Sequence, residues 1–289
     1  MKVSVLTENT VYKRGFLGEH GLSLFIETAE EKYLFDTGQS GVFLHNAEKL
    51  KIDLEKLNGI ILSHGHYDHC GGMEYWSKKQ KIDGNLKKIA PIFINEKAFD
   101  EKYTKHLSNG MLRYIGVEDK EKIWKDLESS VKFIYTKEGC TTISNNVFLL
   151  SKIPYVTEFE PMSDGFWKKV FRKQTSEWIV DTLEDEQLLV IRSEKGLCVF
   201  AGCAHPGIIN CLRYVQTCFP KEHIYSLVAG MHLKACSASR LQATIQALKE
   251  IQLDIIVPLH CTGITAIAAI KEAMKETCVL GEVGKIISL

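Results

Sequence analysis

The chain has 289 residues, 45% of them hydrophobic and 25% charged, with 36 Lys plus Arg balanced by 36 Asp plus Glu. That length allows one large domain or two small ones and is enough to bury a substantial core. The charge balance removes the global field that attracts nucleic acid or an anionic membrane surface, although a local basic pocket stays open.

The N-terminal Met1-Lys2-Val3-Ser4-Val5-Leu6 turns polar at Thr7, without the apolar stretch and small-residue cleavage site of a signal peptide. No apolar run approaches the roughly 20 residues a membrane-spanning helix needs. Nine cysteines are present, none in a CxxC, and Cys198, Cys211 and Cys236 fall inside apolar segments. A reduced buried thiol behaves as a small hydrophobe, so the expected compartment is reducing and cytoplasmic.

Strands are expected at 2–7, 21–27 and 32–35, the last ending in Asp36-Thr37-Gly38. A helix follows over 41–50, then a short turn capped by Asp53 and an apolar strand over 59–62. That strand runs directly into Ser63-His64-Gly65-His66-Tyr67-Asp68-His69, and Gly71-Gly72 turn the backbone into a helix over 72–79. Imidazole and carboxylate are the ligands a borderline cation such as zinc accepts. His64 and His66 are one residue apart, so a loop can aim both at one ion, and Asp68 and His69 can serve a second. Polar residues that merely share a surface loop are the alternative. Three histidines within six positions, at the end of a buried strand, argue against it.

Further along, 78–88 reads as a surface loop, 91–94 as a strand and 97–103 as a short helix. Residues 104–130 look like an irregular, charged insertion with a candidate helix at 118–127, and strands are expected at 131–135, 140–144 and 146–150. The stretch 152–178 mixes prolines, aromatics and charges without a period, as lids and binding loops do. A hairpin over 187–192 and 196–200 ends in Gly202-Cys203-Ala204-His205-Pro206-Gly207. A helix (208–218), a strand (224–228), Gly230-Met231-His232-Leu233, a helix (238–251) and a strand (255–257) lead to His260-Cys261-Thr262-Gly263. A helix (264–275) and a strand (286–289) close the chain. The pattern suits a single α/β domain over 1–289 with two packed sheets flanked by helices.

Three strands thus end in histidine, at the first loop, at His205 and at His260, with His232 a weaker fourth. The carboxyl ends of buried strands are where α/β folds place their sites. One lone histidine of this kind would more often be hydrogen-bonded core. After His-x-His-x-Asp-His, His205 and His260 are the natural remaining donors.

These segments resemble the metallo-β-lactamase-fold superfamily, and Phe35-Asp36-Thr37-Gly38 matches it too. Ser63 to Gly72, Gly202 to Gly207, Gly230 to Leu233 and His260 to Gly263, with Glu8-Asn9 and Glu19-His20-Gly21-Leu22, resemble one branch. That branch is the dihydropteroate-synthase-like, or 7,8-dihydropterin-6-methyl-4-(β-D-ribofuranosyl)aminobenzene 5′-phosphate synthase-like, proteins. The resemblance spans essentially the whole chain. It implies an αββα sandwich with two divalent ions, zinc first and manganese or iron as alternatives. His64, His66 and His205 would hold one ion, and Asp68, His69 and His260 the other, with Asp36 supporting the loop from behind. The superfamily commonly has a bridging Asp where Cys203 stands, so whether Cys203 or His205 completes the site is left open. Asn95 departs from the branch, which often has His there, and substrate binding would carry the difference.

Such ions activate water near neutral pH, with Asp68 able to ligate and orient it, and polarise a carbonyl or phosphoryl oxygen. That supports hydrolysis of a small ester, phosphoester or related substrate, anionic ones included. It equally supports displacement of diphosphate from a dihydropterin by an arylamine, as in the named branch. Asp68 and His232 are the candidate catalytic positions, His232 by substrate contact or support of a ligand. Cys70, Cys203 and Cys261 beside the histidines raise a third reading, a thiol-based metal or redox protein. Arg113-Tyr114 could meet an anionic group, Phe166, Trp167 and Phe171 could stack on a pterin-like ring, and Lys169, Arg172 and Lys173 form a basic cluster. Each has a plainer reading as solvated charge or loop anchor. Gly38 and Gly41 lack the fingerprint of a phosphate-binding loop.

Overall fold

A computed structural model describes residues 1–82, 90–106, 109–117, 131–172 and 175–289, apart from the side chains of residues 81, 82, 171, 172 and 175. The expected helix at 118–127, Lys173 and the side chains of Phe171 and Arg172 therefore lie outside what is described.

The first sheet is built from β1 (Lys2–Thr7), β2 (Ser23–Glu27), β3 (Lys32–Phe35), β4 (Gly59–Ile61), β5 (Ile92–Ile94), β8 (Phe133–Tyr135) and β17 (Ile286–Ser288), in the order β17-β1-β2-β3-β4-β5-β8. The second contains β9 (Gly139–Ser144), β10 (Val147–Ser151), β13 (Gln187–Ser193), β14 (Gly196–Ala201), β15 (Ile224–Gly230) and β16 (Ile255–Leu259), in the order β16-β15-β14-β13-β10-β9. Strand side chains alternate between faces, and both faces here are covered. Along β13, Leu189 and Ile191 meet Phe35 and Val5 of the first sheet. Leu188 and Val190 point outward, under the helices Ile208–Cys218, Ala238–Ile251 and Ile264–Met274. On the far face of the first sheet, Leu34 and Ile60 pack beneath Phe43 and Ala47 of Val42–Lys49 and Met73 and Trp76 of Gly72–Ile82. The layers are helix, sheet, sheet, helix, as expected. Among the described residues no helix is long and apolar enough to cross a membrane.

Four stretches depart from the expectations: the helix expected to end at 79 runs on to Ile82, into the expected loop 78–88, and strands appear in 97–103, in 104–130 and in 152–178. Residues 97–103 form a 3-10 turn at Glu96–Phe99 followed by a strand, β6 (Lys102–Lys105), instead of a helix. With β7 (Leu112–Tyr114), β11 (Phe166–Arg172) and β12 (Thr175–Val180), β6 makes a third, four-stranded sheet in the order β12-β11-β6-β7. Most of the described residues of β7 and of β11 are half-buried or exposed, so no single face had to be apolar. A strand whose faces are not divided between core and water carries no period-2 signal.

Topology brings the functional segments to one edge. β3 and β4 run parallel, with Phe35 opposite Ile61, so Asp36 and Ser63 leave the sheet side by side. β14, β15 and β16 are also parallel, pairing Ala201 with Ala229 and Gly230 with Leu259. Their carboxyl ends deliver Cys203, His232 and His260 to that same edge.

Candidate metal centre

Asp36, Ala204, His232 and His260 all have positive φ, at 58°, 51°, 46° and 50°. Non-glycine residues enter this region at a cost of about 1–3 kcal/mol each, and such residues cluster where a strand must turn sharply to present a side chain. Two glycines allow the loops to close. A Cβ on Gly65 would lie 1.9 Å from the Ala98 carbonyl oxygen, and one on Gly202 would lie 2.1 Å from Ser63 Oγ.

Asp36 organises the first loop. Its carboxylate accepts from the Ser63 amide and hydroxyl, each at 2.7 Å, and its Oδ2 lies 2.6 Å from His69 Nδ1. Ser63 Oγ also lies 2.9 Å from His64 Nδ1. One ring nitrogen of each imidazole is therefore occupied from behind, and the other points to the centre. There, His64 Nε2 is 2.9 Å from His66 Nδ1, which is 3.2 Å from His205 Nε2. His69 Nε2 lies 3.2 Å from Cys203 Sγ. Asp68 Oδ2 lies 3.3 Å from His260 Nε2 and 3.2 Å from His20 Nε2. His260 is fixed in turn by Asn9 Oδ1, 3.0 Å from its Nδ1, and by Glu8, which accepts its backbone amide at 2.8 Å.

The electrostatics favour neutral imidazoles at His64, His66 and His205 and an anionic carboxylate at Asp68. Burial, reinforced by neighbouring imidazoles, holds His64 and His205 well below the ordinary histidine value. Burial and the Lys102 ammonium bring His66 down to about 3. Burial alone would raise the Asp68 carboxyl, but His69, His20 and His260 hold it well below the carboxylate range. Burial also opposes charge on His69, yet the Asp36 and Asp68 carboxylates raise it to about 9. The protein thus presents unprotonated nitrogens at His64, His66 and His205 and surrounds His69 with carboxylates whose negative potential a divalent cation can take over from the His69 proton.

Donor atoms of His64, Cys203 and His205 all lie within 4.8 Å of one another, as do those of His69, Cys203 and His260, and those of His20, Asp68 and His260. His66 Nε2 and His205 Nδ1 are buried without a hydrogen-bond partner. Neutral nitrogen, thiol and carboxylate form a donor set that fits divalent transition-metal ions. All seven sequence-derived ligand candidates converge here, and both Cys203 and His205 are present. His232 lies at the rim, exposed, with its ring 4.6 Å from that of His205.

Other candidates divide. Phe166 reaches the centre, its ring 4.7 Å from His205, 5.6 Å from His66 and 5.7 Å from His232. Trp167, next along β11, takes Asp164 O as its acceptor and lies under the Lys105 ammonium instead. Lys169 sits over Trp178. Arg113 meets the Tyr67 hydroxyl at 3.5 Å in a separate groove with Tyr75 and Tyr114. Asn95 is buried and accepts from the Lys97 amide, capping the 3-10 turn.

Several contributors escaped the sequence reading. Glu186 accepts from the amides of Cys203, Ala204 and His205 at 3.3, 2.6 and 2.9 Å, and burial pushes its carboxyl up to about 7. Lys102, fully buried, lies 3.0 Å from Asp181 and 2.8 Å from Asp185, and Asp185 accepts the Gly65 amide at 2.8 Å. The acidic turn Thr182-Leu183-Glu184-Asp185-Glu186 carries no motif, and the tertiary fold turns Asp185 and Glu186 inward.

An αββα sandwich with a histidine-rich edge defines a class of protein before any individual. A profile of the metallo-beta-lactamase superfamily matches residues 18–210, and the chain belongs to that superfamily. Among individual relatives, it is 30% identical to an uncharacterised protein of Methanocaldococcus jannaschii, covering 99% of this chain and all of the other. It is 29% identical to the 7,8-dihydropterin-6-methyl-4-(β-D-ribofuranosyl)-aminobenzene-5′-phosphate synthase of the same organism, covering 99% of this chain and 96% of the synthase. Among solved structures it is similar to Tm1679, described as a metal-dependent hydrolase of the β-lactamase superfamily. The TM-score is 0.82 at 31% identity, over 100% of this chain and 99% of that one.

Proposed function

We propose that this protein is a metal-dependent hydrolase of a small ester, phosphoester or related substrate, built around two divalent ions, zinc first. The observation that carries the reading is the Cys203 sulfur, which belongs both to the His64/His205 donor group and to the His69/His260 group. His64, His66 and His205 would hold one ion and Asp68, His69 and His260 the other, with the Cys203 sulfur within reach of both donor groups. When bound, such ions acidify a water toward a pKa of about 7 and polarise the substrate oxygen.

The chain's own residues supply the rest. Asp68, held anionic by its histidine neighbours, orients the attacking water by accepting its proton's hydrogen bond. Phe166 covers the imidazoles and narrows solvent access. His232, at the rim, contacts the substrate or its leaving group. A small molecule is the expected partner, and the cysteine usage favours a cytoplasmic setting.

The likeness to the synthase supports a second reading, in which the same residues would serve the joining of an arylamine to a dihydropterin, with diphosphate as the leaving group. Metal analysis tests the site: about two divalent ions per chain are expected, falling in a protein carrying His66→Ala and Asp68→Ala. Unchanged ion content would sink it. A panel of phosphodiesters, carboxylic esters and lactones separates the activities. Turnover abolished by His64→Ala supports the hydrolase, whereas inertness toward the whole panel with tight pterin binding supports the synthase.

A further inference from the structure

Cys203 also takes part in a donor group that neither ion uses. Its sulfur, the Cys261 sulfur and a ring nitrogen of His232 lie within 4.8 Å of one another. Both thiols are buried, while His232 is exposed and opens the cluster to solvent. Three features hold the arrangement. The His232 amide donates to Cys261 Sγ at 3.2 Å. The positive φ of His232 turns the chain directly after β15. Gly230 leaves the room, since a Cβ there would lie 2.9 Å from Cys261 Sγ. Cys261 Sγ also donates to the Cys203 carbonyl oxygen at 3.7 Å, a weak thiol hydrogen bond that draws the two cysteines together.

We infer that Cys203, Cys261 and His232 form a thiolate-rich subsite for a thiophilic divalent cation such as zinc or cadmium. Two sulfurs and one imidazole select soft cations over magnesium or manganese, and leave a fourth position open. Binding forms two metal–sulfur bonds and one metal–nitrogen bond and displaces to solvent the protons held by the two sulfurs and the imidazole, with no change of oxidation state. The cluster shares Cys203 with the proposed two-ion site, yet the inference does not depend on which reaction that site performs.

The test uses full-length protein carrying Cys140→Ser, which removes the exposed thiol, equilibrated with cadmium and then desalted. A near-ultraviolet sulfur-to-cadmium absorption band is expected, reduced by about half in Cys261→Ser because one of two sulfur ligands is lost. Asp68→Ala should leave the band in place. No band, or a band unchanged by Cys261→Ser, overturns the inference. Loss of the band in Asp68→Ala with retention in Cys261→Ser also overturns it, while leaving the two-ion reading standing. Should Cys261→Ser fail to fold by circular dichroism, cadmium-113 NMR of the Cys140→Ser protein decides. A resonance in the two-sulfur range supports the subsite, and its absence overturns it.

Discussion

The Gly65 amide, between His64 and His66, donates to Asp185 at 2.8 Å, and the other oxygen of Asp185 binds the buried Lys102 ammonium at the same distance. Lys102 opens β6, so the small sheet that carries Phe166 is tied to the histidine loop through three fully buried charges. Breaking a buried pair from one side strands the remaining charge. Lys102→Met, which leaves Asp181 and Asp185 without their cation, should therefore destabilise the fold by about 3–5 kcal/mol. Asp185→Asn keeps an acceptor for Gly65 and should cost less than Asp185→Ala. Urea unfolding midpoints check the ranking, and a Lys102→Met protein as stable as the parent would refute it.

Asp36 acts on the centre without reaching its interior. It fixes His69 through Nδ1 and braces Ser63, which in turn contacts His64. A carboxylate behind a ligating imidazole typically contributes 10–100-fold to metal affinity. Asp36→Asn should weaken ion binding by about that factor in a chelator competition. If affinity holds while folding suffers, Asp36 is a structural anchor alone.

The His64–His69 loop was legible because its donors are contiguous and follow an apolar strand, so one short stretch holds both chemistry and context. His205 and His260 were legible for a related reason, each closing a recognisable strand. The parallel order β14-β15-β16 is what converts those three strand ends into one edge. Glu186, Lys102 and Asp185 were not legible: an acidic turn without a motif, and a lysine in what reads as a short helix over 97–103, look solvated until distant strands enclose them. The β11–β12 hairpin was missed because its half-buried residues lack alternation, although it places Phe166 over the imidazoles. Cys203 was flagged as a departure from a bridging carboxylate, and the geometry puts its sulfur between the two imidazole groups.

Glu160 supplies a pH dependence away from the metal ligands. Its carboxylate accepts from the amides of Ile209 and Asn210 at 3.2 and 2.9 Å, capping the helix Ile208–Cys218 from the long loop before β11. Burial raises its pKa above 4.5, only partly offset by those amides. The folded state then binds the proton more tightly than the unfolded one. Its contribution to stability is complete below the unfolded value and is lost as pH rises through the folded one. Glu160→Gln cannot titrate, so the decline in urea midpoint with rising pH above 4.5 should flatten. Identical slopes in the two proteins would remove Glu160 from the account. Glu160→Ala should cost about 1–2 kcal/mol by freeing two helix-end amides.

Phe166 separates shaping of the site from assembly of the site. Its ring packs edge-on to His205 and roughly parallel to His66, and it also neighbours His232, so it borders both proposed ligands and the rim. His64 and His69 are braced from behind by Ser63 and Asp36, and the His205 backbone is held by Glu186. Truncating Phe166 therefore removes a wall without removing a brace. Phe166→Ala should keep its ions and its unfolding midpoint nearly intact, while KM for a hydrolysed ester or phosphoester rises about tenfold, or about 1.4 kcal/mol of lost contact. Phe166→Leu, which refills most of the volume, should recover part of the loss. Were Phe166→Ala instead to shed metal with KM unchanged, the ring would be serving to hold the imidazoles, and the substrate would be approaching from the His20 side of Asp68.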